Sequence, residues 1–130
     1  MQEPVSKLIL IDKPKGISSF SVIRQLRRKT GIKKFGHAGT LDPLATGLMI
    51  IGVNKATKLL AGIIGLDKEY IATILVGERR ATGDMEGEVL EEKEYEADLS
   101  KSEIDLKLQS LLGEIELPVS AYSAIKKDGV

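Results

Sequence analysis

Two short apolar runs, KLILID at 7–12 and LMIIGV at 48–53, most constrain the fold of this chain. Each is strand-length and rich in isoleucine and leucine, and between them lie a helical pattern and a long glycine-punctuated loop. KPKG follows the first run as a turn. SSFSVIRQLRRKTG then reads as a helix, capped by Ser18 or Ser19 and ended by Gly31. Phe20, Ile23 and Leu26, with Val22 beside them, give the spacing of a buried stripe. Arg24, Arg27 and Arg28 lie mostly on the other side. With aromatics at only 4% of the chain, the core has to be built from Ile, Leu, Val and Ala.

Further along, NKATKLLAGIIG reads as a helix and KEYIATILVG alternates as a half-buried strand. ERRATGDMEGEVLEEKEYEA reads as a loop turning at Gly83 and Gly87 and leading into a polar edge strand. SKSEIDLKLQSLLGEIE carries a helical pattern at Ile104, Leu108, Leu111 and Leu112, capped by Ser100 or Ser102 and ended by Gly113. LPVSAYSAIKKDGV reads as a strand with a turn. Strands and helices mixed without regular βαβ alternation, and without a glycine-rich nucleotide fingerprint, favour an α+β domain. The 130 residues suit one domain, and the closing KKDGV is a turn signature without a return strand, the expected mark of a fragment.

Composition removes several classes of chemistry. There is no cysteine, hence no disulfide, thiolate nucleophile or thiolate metal site, which suits a reducing cytoplasm. One histidine rules out a multi-histidine metal centre. The N-terminus does not resemble a signal peptide, and the longest apolar run, LLAGIIGL, is too short to span a bilayer. The net charge of zero conceals a segregation. Residues 1–60 hold eleven Lys or Arg against three Asp or Glu, and residues 61–130 hold eight against sixteen. A basic front half points to a polyanion, although a chance segregation of charge on a folded protein gives the same count.

The chemistry-bearing stretch is GHAGTLDPLATG at 36–47, which contains the single histidine, His37, and an aspartate, Asp42, locked against Pro43. A residue before proline is pushed into extended backbone, so Asp42 is stiffened. Such a loop presents one carboxylate with little freedom, as nucleophilic or general-base chemistry needs. Taken singly, each residue also has a plainer reading. Asp-Pro is a common turn former, a lone loop histidine is commonly a hydrogen-bonding spacer, and a tyrosine in a strand is commonly sheet packing.

GHAGTLDPLATG resembles the catalytic motif of the TruB family of tRNA pseudouridine synthases. LIDKPKGISS, NKATKLL, KEYIATILVGERRATGDMEGEV and LPVSAYSAIKKDGV resemble that family's other segments, in the same order, so the likeness spans essentially the whole chain. It implies a pseudouridine synthase fold, a mixed and largely antiparallel sheet flanked by helices, incomplete in this chain. Residues 1–130 would be the N-terminal portion of the catalytic domain, without the downstream strands and the C-terminal RNA-binding domain. The implied activity is isomerisation of uridine to pseudouridine at position 55 in the T-arm loop of tRNA. The reaction is redox-neutral and calls for no cofactor and no metal. By position Asp42 would be the nucleophile, on ribose or base, Tyr70 would lie against the target base, and His37 would handle the extruded nucleotides. Lys13, with Pro14, matches the Lys-Pro motif that supports the catalytic loop and is grouped with the substrate-binding residues. Arg24, Arg27, Arg28, Lys29, Lys33 and Lys34 are candidates for phosphate contacts.

The resemblance further implies a cytoplasmic protein, monomeric at full length and without membrane contact. The family's later arginine, partner of the aspartate, has no counterpart here, so the isolated chain is expected to have little or no activity. Two rivals are a non-catalytic tRNA-binding or tRNA-folding module and a guide-RNA-dependent synthase of the dyskerin type. Leu44 and Ala45 after the proline favour the stand-alone enzymes over the latter.

Overall fold

The structure is a computed structural model, and it describes residues 5–94 and 100–116. Backbone contacts divide the chain into two units, Met1–Ile71 and Ala72–Val130.

The first unit contains β1 (Leu8–Lys13), α1 (Ser19–Thr30), β2 (Phe35–His37), β3 (Gly47–Val53), a 3-10 helix (Asn54–Leu59) and α2 (Leu60–Ile64). Its three strands form one antiparallel sheet in the order β1-β3-β2. Leu8 pairs with Gly52 and Lys13 with Gly47, and on the other side Phe35 pairs with Val53 and His37 with Ile51. Alternation then puts Met49, Ile51 and Val53 of β3 on one face, where they pack with Val22 and Ile23 of α1 and with Phe35. Ile51 is fully buried, and burying a side chain of that size contributes about 1.5–3 kcal/mol. Ile9 and Ile11 of β1 pack against the same core, and the next inward position of that strand is Lys13, which is also buried. An ammonium therefore stands where the strand pattern calls for an apolar residue, at the end of the sheet beside the long loop.

Ser18 caps α1, accepting from the Ser21 amide, and Gly31 closes it in the left-handed conformation. The buried stripe is narrower than the helical spacing suggests. Val22 and Ile23 are buried and Leu26 packs against the core, but Phe20 is 57% exposed. On the opposite face of the sheet the 3-10 helix approaches the strands closely. A side chain on Gly52 would sit 2.9 Å from the Ala56 carbonyl oxygen and from the backbone of Thr57. NKATKLLAGIIG is thus helical in two pieces, a 3-10 turn that follows the sheet surface and a short α-helix.

Residues 68–77 do not form the half-buried strand that their alternation suggests. They belong to no ladder, and Tyr70, Ile71 and Ile74 are exposed. Alternation marks a segment able to pair, but a strand exists only with a partner, and none of the described residues provides one.

The second unit contains β4 (Glu78–Arg80), β5 (Val89–Glu92) and α3 (Lys101–Gln109). The polar edge strand expected here is β5, exposed along its whole length, and β4, inside the stretch expected to be loop, pairs antiparallel with it, with a register shift between Arg79 and Arg80. The intervening turn does use Gly83 and Gly87. The Thr82 hydroxyl donates to the Asp84 carboxylate at 2.5 Å and the Glu86 amide donates to it at 3.0 Å. These bonds hold Asp84 below its ordinary pKa. A capping box between Ser100 and Glu103 starts α3. The expected strand and turn at 117–130 lie outside the described residues. Antiparallel strand pairs interspersed with helices make the chain an α+β protein.

Candidate active site

The long loop leaves β2 at His37 and enters β3 at Gly47, so two neighbouring strands hold its ends. The long loop expected between α1 and the second apolar run, IKKFGHAGTLDPLATG at 32–47, contains β2, a strand too short to carry an alternation of its own. Gly39 and Gly47 have φ of 104° and 125°, a backbone region that side chains resist, and they bracket the residues between.

Within that bracket, Asp42 to Ala45 form a turn closed by the Ala45 amide donating to the Asp42 carbonyl at 3.1 Å. Proline at the second position suits such a turn, so the plain reading of Asp-Pro is correct for the main chain. The side chain is a separate matter. Asp42 is exposed, and among the described residues its carboxylate takes part in no hydrogen bond or ion pair.

The backbone on either side of Asp42 is pinned. Before it, the hydroxyl of buried Ser19 donates to the Leu41 carbonyl and accepts from the Leu41 amide, both at 2.9 Å, and the Leu41 side chain packs against the core. After it, the Pro43 carbonyl accepts from the Gly16 amide at 2.7 Å and from Lys13 Nζ at 3.3 Å. Lys13 Nζ also donates to the carbonyls of Pro14 at 3.0 Å and Ile17 at 2.8 Å. An ammonium has three hydrogens, and all three have carbonyl acceptors. Lys13 thus ties the turn after β1, the start of α1 and the Asp-Pro turn together at one buried point. Grouping it with substrate-binding residues does not match this placement, because a fully buried ammonium with its donors saturated has nothing to offer a ligand.

The sequence offers Ser19 only as an alternative helix cap and not as a site residue. A serine pair ahead of an apolar helix signals a cap, and Ser18 performs that task. The hydroxyl of Ser19 is released for the loop 22 residues away, a pairing that only the tertiary fold creates.

His37 is half-buried, and its Nδ1 lies 2.6 Å from the Gly39 carbonyl. A carbonyl only accepts, so Nδ1 carries a proton, which leaves Nε2 as the ring nitrogen able to accept in the corresponding neutral tautomer. Tyr70 is 69% exposed on the segment after α2 and forms no hydrogen bond among the described residues. Arg24, Arg27, Arg28, Lys29, Lys33 and Lys34 are all exposed, and none forms an ion pair among the described residues. No three His, Asp or Glu side chains of the described residues cluster as metal ligands would.

Residues 27–130 match the model of the TruB family pseudouridylate synthase, N terminal domain. The chain belongs to that family. It is 49% identical over 126 residues to the tRNA pseudouridine synthase B of Leifsonia xyli subsp. xyli, a match covering 95% of this chain and 42% of the relative. It is 46% identical over 125 residues to the protein of the same name from Arthrobacter sp. (strain FB24), covering 96% of this chain and 40% of the relative. The tRNA pseudouridine synthase B of Fusobacterium nucleatum subsp. nucleatum is 46% identical over 122 residues, with coverage of 94% and 42%. The chain thus spans about two fifths of the length of these relatives.

Proposed function

We propose that this chain is the N-terminal portion of the catalytic domain of a tRNA pseudouridine synthase that isomerises uridine to pseudouridine in the T-arm loop, at position 55. Its curated relatives are named tRNA pseudouridine synthase B. The observation that carries the reading is the placement of Asp42, an exposed carboxylate without a partner among the described residues, whose flanking peptides are pinned by Ser19, Gly16 and Lys13.

A base within a folded RNA loop has to be flipped out before its glycosidic bond can be reached, at a cost of a few kcal/mol. Asp42 acts as the nucleophile on that extruded uridine, at ribose or base. The glycosidic bond breaks, the base turns, and the ribose rejoins at C5, whose proton is released. Because bonds to the peptides on both sides fix the Asp42 main chain, only its side-chain torsions remain to be ordered when the nucleotide arrives. His37 meets the displaced nucleotides, with Nε2 facing them as an acceptor, and Tyr70 lies against the target base. Lys13 serves as a positioning residue behind the turn. The exposed cations around α1 supply phosphate contacts that offset the flipping cost. The overall reaction is an isomerisation and requires no cofactor.

The test uses the full-length protein and unmodified tRNA tritiated at C5 of uridine. Release of tritium without guide RNA, abolished in Asp42→Asn, is the expected result. Equal release from both proteins would remove Asp42 from the chemistry. Binding of tRNA with release from neither would replace the enzyme with a tRNA-binding module, and a requirement for guide RNA would point to the dyskerin type.

A further inference from the structure

We infer that Phe20 and Arg24 form a stacking seat for an unpaired nucleotide next to the target, a reading that rests on the proposed action on an RNA loop. Phe20 occupies a position that helical spacing assigns to the core, yet it is 57% exposed while Val22 and Ile23 fill the interior. One turn later on the same face, the Arg24 guanidinium lies over its ring, 6.0 Å from the centroid. That guanidinium is held in place by Nη2 donating to the Ser21 hydroxyl at 2.9 Å, and the Ser21 and Ser18 hydroxyls are themselves 2.9 Å apart. An open groove lined by Ile17, Ser21, Arg24, Gln25 and Arg28 runs along the same helix.

Charge identifies the occupant. From Lys13 to Leu41 the chain carries eight Lys or Arg and no Asp or Glu. No carboxylate pairs with Arg24 or Arg28 among the described residues. Cations without a carboxylate partner among the described residues, beside an exposed aromatic ring, match a single-stranded nucleic acid, in which phosphates meet guanidinium and bases stack on the ring. A paired helix would offer the phosphates but no free base face.

The seat is also coupled to the carboxylate. Phe20 follows Ser19, Asp42 follows Leu41, and the Ser19 hydroxyl joins the two segments at 2.9 Å. Adding consecutive Cα spacings to that bridge keeps the Cα atoms of Phe20 and Asp42 within about 15 Å. Ile17, a wall of the groove, is tied through Lys13 to Pro43. Whatever sits on α1 is therefore held in register with Asp42.

The experiment measures binding of the full-length protein to a labelled T-arm stem-loop RNA and to a fully paired duplex of equal length. Phe20→Ala is expected to weaken stem-loop binding about 5- to 150-fold, the loss of one base stack, and to leave duplex binding within about twofold. Phe20→Trp retains stem-loop binding. Arg24→Ala lowers the slope of log affinity against log salt by about one. Unchanged stem-loop affinity in Phe20→Ala, or equal loss on stem-loop and duplex, overturns the seat, as does a Phe20→Trp variant as weak as Phe20→Ala. Tritium release by the wild-type protein is scored independently, so loss of the enzyme reading and loss of the seat are distinguishable.

Discussion

Ser19→Ala removes a single oxygen, and the structure ties two consequences to it. The hydroxyl serves both the amide and the carbonyl of Leu41, so both groups lose their partner at once. A buried polar group left unpaired costs about 1–3 kcal/mol. Leu41 is half-buried and water reaches part of the site, which places the sum near the low end, about 2–3 kcal/mol. Urea unfolding of the full-length protein measures this as a lower midpoint at constant slope. The second consequence is kinetic. With the pin before Asp42 gone, the carboxylate can drift by an ångström or so, and misplacement on that scale costs about 100-fold in rate. Ser18→Ala is the control, because it removes the cap of the same helix and costs about 1 kcal/mol without touching the loop. The reasoning predicts a large fall in tritium release for Ser19→Ala and a small one for Ser18→Ala. If the two variants lose stability and activity alike, or if Ser19→Ala loses less than about 0.5 kcal/mol, the pin is not what holds the aspartate.

Three further outcomes are expected. Lys13→Met keeps the bulk but strips three carbonyls of a charged donor, and since Pro43 retains the Gly16 amide, two are orphaned. The loss is about 2–4 kcal/mol by urea unfolding, with tRNA affinity at the temperature of folding stability falling less than the rate of tritium release. Gly52→Ala drives a methyl into the backbone of the 3-10 helix at 2.9 Å, where no side-chain rotation relieves it, and should cost at least about 3 kcal/mol or prevent soluble expression. Asp84 is held below its ordinary value of 3.8, chiefly by the Thr82 hydroxyl. A depressed carboxylate contributes stability that is fully present above the unfolded value and lost as pH falls through the folded one. Amide protection factors in the turn between β4 and β5 should fall below about pH 3.8, and Thr82→Val should move the Asp84 titration, followed by NMR, upward.

The elements with strong local signals were legible from residues alone. KLILID and LMIIGV are strands, α1 starts and stops at its serine and glycine signals, and Ser100 begins α3. The misreadings share one physical cause, since each depends on a partner distant in sequence. Residues 35–37 become a strand only because β3 lies beside them. Residues 68–77 have the alternation of a strand without a ladder, and Phe20 has the spacing of a core residue without a core to enter. At the candidate site, the motif marks Asp42 and His37 as candidates, and Lys13 is visible as part of a second motif. The sequence pattern could not show that the Lys13 ammonium is spent on three carbonyls, or that Ser19 reaches Leu41.

The anchoring of Asp42 bears on protein engineering. The twelve residues from Gly36 to Gly47 would look like a portable cassette to anyone designing a new synthase. Their shape, however, is dictated from upstream, by a serine on a helix, a lysine at a strand end and a glycine amide in a turn. A transplant carrying the loop alone would deliver an aspartate to the new scaffold with its main chain unmoored. The smallest unit that carries this main-chain anchoring is the stretch from β1 through β3, in which the loop and the residues that shape it are the same piece of chain.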